Sequence, residues 1–368
     1  MPETLKPPQN FSILKYFIDA QKFVAKIFGL KKIGSMNYTA SESRYDSMKY
    51  NYAGKSGLKL PAIQLGMWYN FGLDADFENC KNMIFTAFDC GITMFDMANN
   101  YCNSTAEITA GKIFKEHLSK YRDEILITSK AGYKDIEGPY GEWGSKKSVI
   151  ASLDRSLRKS GLDYFDVFYS HRFDPNTPLE ETINALCDAV KQGKILYLAV
   201  SNYDGKSAQK AYEIAKSRSV PLIANQVRYH IFDRRCEQNG AQDSDDLSLV
   251  CYSPLEQGLL SSKYINGIPA DSRAGREPAN PWLNKNTILP RVEAVKKMCQ
   301  IAESRGQSLS QMAIRWLLQR KRVASVLIGA SKPEQIKDCA KAVQSAEIDA
   351  CDMQKIDDAS QGLFIEKM

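Results

Sequence analysis

Phe95-Asp96-Met97-Ala98-Asn99-Asn100-Tyr101 closes one strand-like run, Thr128-Ser129-Lys130-Ala131-Gly132-Tyr133 closes the next, and Phe168-Tyr169-Ser170-His171-Arg172 closes a third. In each stretch apolar residues give way to ionisable ones where the strand should end. Polar groups at the C-terminal ends of successive parallel strands are the arrangement of an α/β barrel. The residue types also suit one another. An ammonium beside a phenol stabilises the phenolate, so Lys130 should lower the pKa of Tyr101 from about 10. Asp96 would keep Lys130 charged and in place. Tyr101 is then a proton donor for near-neutral pH, and the His171 imidazole can orient a carbonyl oxygen.

Working outward, the same alternation covers most of the chain. Strand-like runs occur at Ala62–Trp68, Thr93–Ala98, Ile125–Lys130, Tyr164–His171, Ile195–Ser201, Leu222–Val227, Leu247–Ser253 and Ser325–Ala330. Amphipathic stretches separate them, among them Phe77–Phe88, Thr105–Leu118, Lys146–Ser160, Leu179–Gln192 and Lys206–Ser217. Strands interleaved with helices in this way predict a (β/α)8 TIM barrel. No GxGxxG follows any strand, which disfavours a doubly wound dinucleotide domain. After the seventh strand, Ser261–Pro290 is rich in turn residues, and so long a loop in a compact domain is usually functional. Helices are expected at Arg291–Ser304 and Ser308–Leu318. The stretch Cys236–Asp246 is polar and contains Gly240, so the helix after the sixth strand should be truncated or irregular.

Composition excludes several classes. Of 368 residues, 43% are hydrophobic and 25% charged, which is ordinary for a soluble globular chain. A net charge of +6 suits anionic ligands such as a dinucleotide phosphate. No dense basic block interleaved with aromatics appears, so nucleic acid is not an expected partner. Nine scattered cysteines without a CxxC pair favour reduced thiols and a cytoplasmic location. With three histidines and no Cys/His spacing suited to zinc, no metal is expected.

Residues 1–45 read as an N-terminal extension, residues 46–346 as the barrel and residues 347–368 as a C-terminal tail. Within Phe11–Leu30, Lys15, Asp19, Lys22 and Lys26 form a narrow polar stripe on an otherwise apolar helix. That is too charged to span a bilayer, and no small-residue cleavage site follows it. Peripheral contact with a membrane surface or a partner through residues 11–30 stays open, beside a plain extension that packs on the barrel.

From about Met48 to Ala346 the chain resembles the aldo-keto reductase superfamily, and within it the branch of bacterial L-glyceraldehyde 3-phosphate reductases and potassium-channel β-subunits. The shared text includes Tyr52-Ala53-Gly54-Lys55-Ser56-Gly57-Leu58, Leu65-Gly66-Met67-Trp68-Tyr69-Asn70-Phe71-Gly72, Gly138-Pro139-Tyr140-Gly141, Tyr169-Ser170-His171-Arg172, Asn176-Thr177-Pro178, Ser253-Pro254-Leu255-Glu256-Gln257-Gly258-Leu259-Leu260 and Ile328-Gly329-Ala330-Ser331. A lone strand-end lysine is usually solvated, and a lone Asp before a loop is usually a cap. The four together, in family order, are read as the catalytic set Asp96, Tyr101, Lys130 and His171. Channel β-subunits typically carry Asn where this chain has His171, so the imidazole favours a working reductase over a regulatory subunit.

The resemblance implies the rest of the site. The implied cofactor is NADPH and the implied substrate a small carbonyl compound. Gly66, Met67 and Trp68 would lie near the nicotinamide, with Ser201, Asn202 and Gln226 on its carboxamide and Tyr252 against its ring. Ser253, Leu255, Gln257 and Gly258 would meet the pyrophosphate, and Lys263 and Arg273 would add basic contacts from the long loop. Gly329, Ser331, Lys332 and Gln335 would hold the adenosine 2′-phosphate at a helix N-terminus. The relatives generally place Glu-Asn where this chain has Asp338-Cys339, which puts an adenine contact in doubt. Trp68, Tyr133 and Arg172 are candidates for the substrate pocket. Arg172 suits a phosphorylated aldehyde such as glyceraldehyde 3-phosphate, while a dicarbonyl such as methylglyoxal is the other implied substrate. A channel-associated, NADPH-binding regulatory protein is the alternative. A homo-oligomer stays open.

Overall fold

The computed structural model describes residues 38–276 and 282–365. An antiparallel hairpin comes first, β1 (Tyr50–Tyr52) against β2 (Lys59–Pro61). Eight strands follow: β3 (Ile63–Gly66), β4 (Met94–Asp96), β5 (Leu126–Ala131), β6 (Phe165–Ser170), β7 (Ile195–Ser201), β8 (Leu222–Arg228), β9 (Ser248–Tyr252) and β10 (Val323–Ile328). They pair in parallel in sequence order, and β10 returns to β3, so the sheet closes. The expected (β/α)8 barrel is therefore present. The strand centres match the sequence reading, and the ends differ by a residue or two.

Helices cover the outside. They are α1 (Phe77–Asp89), α2 (Ala106–Ile113), α3 (Lys146–Ser160), α4 (Leu179–Lys191), α5 (Gly205–Ser217), α6 (Arg235–Gln238), α7 (Lys285–Ile288), α8 (Val292–Ser304), α9 (Leu309–Leu318), α10 (Pro333–Ala340) and α11 (Ala350–Ser360). In α4, Leu179, Ile183, Ala185, Leu186, Cys187 and Ala189 are buried while Glu180 and Glu181 fall in the first turn, where the helix dipole favours them. Side chains cap the starts: Asp76 on α1, Ser145 on α3, Asp204 on α5 and a Ser308–Gln311 capping box on α9. The expected irregular helix after the sixth barrel strand is α6, a single turn. All these elements belong to one compact unit that begins at Ala40.

The hairpin plugs the barrel's N-terminal end. Ala53 and Leu60 are fully buried in one cluster with Met94, Val167, Ala224, Val250 and Ala324. Asn51 Nδ2 donates to the Ala324 carbonyl at 2.8 Å, and the Gly54 amide donates to Ser248 Oγ at 2.7 Å. Gly54 has φ +54°, and a Cβ there would lie 2.4 Å from the Asp246 carbonyl oxygen. With that end sealed, the opposite end is left for chemistry.

Two features were not placed by the sequence. Residues after 346 do not form only a tail, because α11 packs on α8, capped by Asp349 and joined through Arg305 to Asp352 at 3.3 Å. The stretch Thr105–Leu118 is α2 followed by a wider π turn, Phe114–Leu118. Residues 11–30 lie outside the described residues. Among the described residues, no helix is long and apolar enough to cross a membrane.

Candidate active site

The register of β4 and β5 builds the centre. Asp96 ends β4 opposite Thr128 of β5, so Thr128 and Lys130 share the inward face with Asp96. Thr128 Oγ1 donates to Asp96 Oδ1 at 2.8 Å. Lys130 Nζ pairs with Asp96 Oδ2, and both side chains are fully buried. The same ammonium donates to the Met97 carbonyl at 2.7 Å and to Tyr101 Oη at 3.2 Å. All three donors of Lys130 thus have partners, which is what allows a buried charge at this depth.

Tyr101 is held by the turn that follows β4. The Asn99 amide donates to the Lys130 carbonyl at 3.1 Å, and Asn99 Nδ2 donates to Tyr133 O and to Ser152 Oγ. Beyond Tyr101 the backbone makes a left-handed turn, with φ of 51°, 53° and 64° at Cys102, Asn103 and Ser104. Three successive non-glycine residues in that region are costly, roughly 1–3 kcal/mol each. Cys102 Sγ donates to the Trp68 carbonyl at 3.2 Å, and Thr105 Oγ1 closes the turn on the Cys102 carbonyl.

His171 follows β6. Its amide donates to the Ala131 carbonyl at 2.8 Å, and its carbonyl accepts from Asn202 Nδ2 at 3.0 Å. Its ring stands edge-on to Tyr101, 5.8 Å between centroids, and to Tyr133 at 4.6 Å. The catalytic set proposed from the sequence is therefore brought together in one place.

Electrostatics correct one expectation. Burial pushes the Tyr101 phenol well above its usual 10, with Asp96 adding to the rise. It does not fall as the sequence reading supposed. Desolvation of the phenolate outweighs the Lys130 ammonium 3.2 Å away, and Asp96 beside that ammonium offsets part of its pull. Burial also lowers the Lys130 ammonium against the opposing pull of Asp96. His171 is held well below 6.5 by burial, then by Lys130 and Arg172. The site thus offers a neutral phenol and a neutral imidazole.

The expected cofactor residues fall into three groups. Ser201, Asn202, Gln226 and Tyr252 join the catalytic set: Tyr252 Oη donates to Asn202 Oδ1 at 2.9 Å, Ser201 Oγ to the Gln226 carbonyl at 2.9 Å, and Gln226 Nε2 to Asp96 Oδ1 at 3.2 Å. In the second group, Trp68 and Tyr69 lie edge to face beyond Gly66 and Met67. Arg273 reaches across to them, 4.3 Å from the Tyr69 centroid, and donates to Gln257 Oε1 at 3.3 Å. Ser253, Gln257 and Gly258 all take positive φ, so the segment from Ser253 through Leu255 to Gly258 is a tight turn. Lys263 is exposed beyond it.

The third group stands at the start of α10. Gly329, Ser331, Lys332 and Gln335 are exposed there, and Gln335 Oε1 accepts from the Ser331 amide at 2.7 Å. Lys332 occupies the N-cap without using its side chain to cap. A Cβ at Gly329 would meet nothing within 4 Å, so the ledge above the helix start is open. Asp338 instead accepts from Gln311 Nε2 at 2.6 Å and Ser308 Oγ at 3.0 Å, and Cys339 is buried. Neither is turned toward the ledge.

Tyr133 and Arg172, candidates for the substrate pocket, flank His171, with the Arg172 guanidinium 4.3 Å from the Tyr133 centroid. Sequence reasoning missed Thr128, Tyr69, Glu142, Trp143 and Glu107. Glu107 is fully buried, accepting from Ser129 Oγ at 2.6 Å behind Lys130. A carboxylate three residues into a helical stretch looks like any solvated helix residue. Among the described residues, no group of His, Cys, Asp and Glu is arranged to hold a metal ion.

The model of the Aldo/keto reductase family matches residues 62–361. The chain belongs to this family. As an aldo/keto reductase it is an oxidoreductase acting on carbonyl groups, served by a nicotinamide dinucleotide. It is 42% identical over 329 residues to L-glyceraldehyde 3-phosphate reductase of Escherichia coli strain K12, covering 88% of this chain and 95% of that protein. It is 33% identical over 306 residues to a Schizosaccharomyces pombe protein named "Putative voltage-gated potassium channel subunit beta", covering 81% of this chain and 89% of the other. A solved thermostable aldo-keto reductase in complex with the inhibitor epalrestat aligns with TM-score 0.66 and 26% identity, over 85% of this chain and 100% of that one.

Proposed function

We propose that this aldo/keto reductase reduces small aldehydes to alcohols with NADPH, using Tyr101 as proton donor. The observation that carries the reading is the Lys130 ammonium bridging Asp96 and Tyr101 Oη at the barrel mouth. When bound, NADPH supplies the hydride for the carbonyl carbon. Tyr101 gives its proton to the carbonyl oxygen as negative charge develops there. The Lys130 ammonium stabilises the phenolate that remains, and Asp96 keeps that ammonium charged. His171, neutral and edge-on to Tyr101, is left to orient the oxygen.

The residues present suit the cofactor. Asn202, Ser201, Tyr252 and Gln226 offer amides and hydroxyls beside the reacting centre. Arg273, which donates to Gln257 in the positive-φ turn, offers a cation for the phosphates. Lys332 and the N-terminus of α10 offer a cation and a positive dipole end to a 2′-phosphate, which favours NADPH over NADH. The experiment is the rate of NADPH oxidation with and without glyceraldehyde, glyceraldehyde 3-phosphate and methylglyoxal. Aldehyde-dependent oxidation supports the reading, and its absence with every carbonyl opposes it.

The regulatory reading draws on the channel-subunit relative. It is the weaker one, because His171 keeps a catalytic imidazole on Tyr101. We place the enzyme in the cytoplasm on its unpaired cysteines, all nine of them free.

A further inference from the structure

We propose that Glu142 sets substrate class, by occupying Arg172 so that the pocket selects uncharged aldehydes over phosphorylated ones. This rests on the reductase reading above. Arg172 was the group a phosphorylated substrate would use. Its Nη2 donates to Glu142 Oε2 at 2.8 Å, and its Nε to the Gly132 carbonyl at 3.0 Å. The guanidinium is also stacked, 3.4 Å from the Trp143 centroid and 4.3 Å from that of Tyr133. Tyr133 in turn stands on His171. Glu142 and Trp143 are therefore linked to the carbonyl site through the Arg172 guanidinium and the Tyr133 ring, which stands on the imidazole.

The loop that brings Glu142 there is pinned at many points. The Trp143 amide donates to the same Gly132 carbonyl at 3.0 Å, and Trp143 takes φ +70°. Next to it, the Gly144 amide donates to Asp174 Oδ2 at 3.0 Å and its carbonyl accepts from Thr182 Oγ1 at 2.6 Å. A Cβ at Gly144 would lie 2.7 Å from Thr182 Oγ1, so the approach needs a glycine. Earlier in the loop, Asp135 is gripped by Arg155 through two hydrogen bonds of 3.0 and 2.8 Å. Glu142 is thus a tethered carboxylate competing for Arg172 at high effective concentration. The other nearby charges do not help a phosphate. Lys134 is paired with Glu137 at 2.7 Å, and Asp174 adds a second carboxylate beside Arg172. A phosphorylated substrate must displace Glu142 to reach Arg172, whereas an uncharged aldehyde displaces nothing.

The test is steady-state kinetics at saturating NADPH, with glyceraldehyde and glyceraldehyde 3-phosphate, for the wild type and Glu142→Gln. The wild type should show the higher kcat/KM for glyceraldehyde. Glu142→Gln should raise the ratio of phosphorylated to uncharged kcat/KM by roughly tenfold or more, the scale of one charge-assisted hydrogen bond. Inorganic phosphate, which needs no variant, should compete only weakly with glyceraldehyde in the wild type. A wild-type preference for the phosphorylated aldehyde, an unchanged ratio in the variant, or tight competition by phosphate would overturn the inference while leaving the reductase reading intact. Failure to oxidise NADPH with either aldehyde would overturn that reading and this inference with it.

Discussion

Lys130 Nζ stands 3.2 Å from Tyr101 Oη while paired with Asp96, and no solvent reaches the ion pair. The pair therefore acts on the phenol across a dry contact. Its effect on the ground state is small, because the phenol is neutral there. Its effect on a developing phenolate is larger, because the ammonium is the nearer partner.

That arrangement predicts the outcome of taking the pair apart. Lys130→Met leaves Asp96 as an uncompensated buried carboxylate, which should cost about 3–5 kcal/mol of stability along with most turnover. The double variant Asp96→Asn with Lys130→Met should regain much of the stability and none of the turnover. Urea denaturation and NADPH oxidation on the same samples separate the two effects. Recovery of activity in the double variant would place Lys130 outside the chemistry.

The pH dependence follows from the directions of the shifts. Tyr101 is raised, so its proton stays in place until well above about pH 10. His171 is lowered, so it stays neutral to well below about pH 6.5. Neither group changes charge across the neutral range. The kcat for reduction should accordingly be flat between about pH 6.5 and 9. A titration near neutrality in that profile would mean that His171 or Tyr101 is far less perturbed than its burial implies.

On the proposed NADPH reading, cofactor choice should turn on Lys332. It faces solvent at the start of α10, above the open ledge at Gly329. Lys332→Met should weaken NADPH binding by roughly ten- to a hundredfold and leave NADH nearly unchanged, since one charge-assisted contact is removed. Fluorescence titration of both cofactors at low salt measures this. Equal weakening of both would put Lys332 away from the 2′-phosphate.

Much of this was legible in the chain. Periodicity located the eight barrel strands, and the strand-end residues pointed to the cluster proposed as catalytic, because β-strand parity fixes which side chains point inward. The pairing of Gln226 with Asp96 was not legible, since it joins residues 130 positions apart on β4 and β8. The direction of the Tyr101 shift was misjudged for a related reason. Sequence shows which charges are near, and burial decides which of them matters. Glu142 was hidden because a loop glutamate beside a tryptophan carries no pattern, and only the fold brings it to Arg172. Helix α11 was missed because its acidic sequence has a weakly apolar face, and packing on α8 stabilises it.

The most direct test of the account is Tyr101→Phe. It removes one hydroxyl and leaves Lys130, Asp96 and the ring in place. Turnover of an aldehyde that the wild type reduces should fall by roughly 10²–10⁴-fold, the usual contribution of general acid catalysis, with NADPH affinity nearly unchanged. Near-normal turnover by Tyr101→Phe would contradict the assignment of Tyr101 as the proton donor.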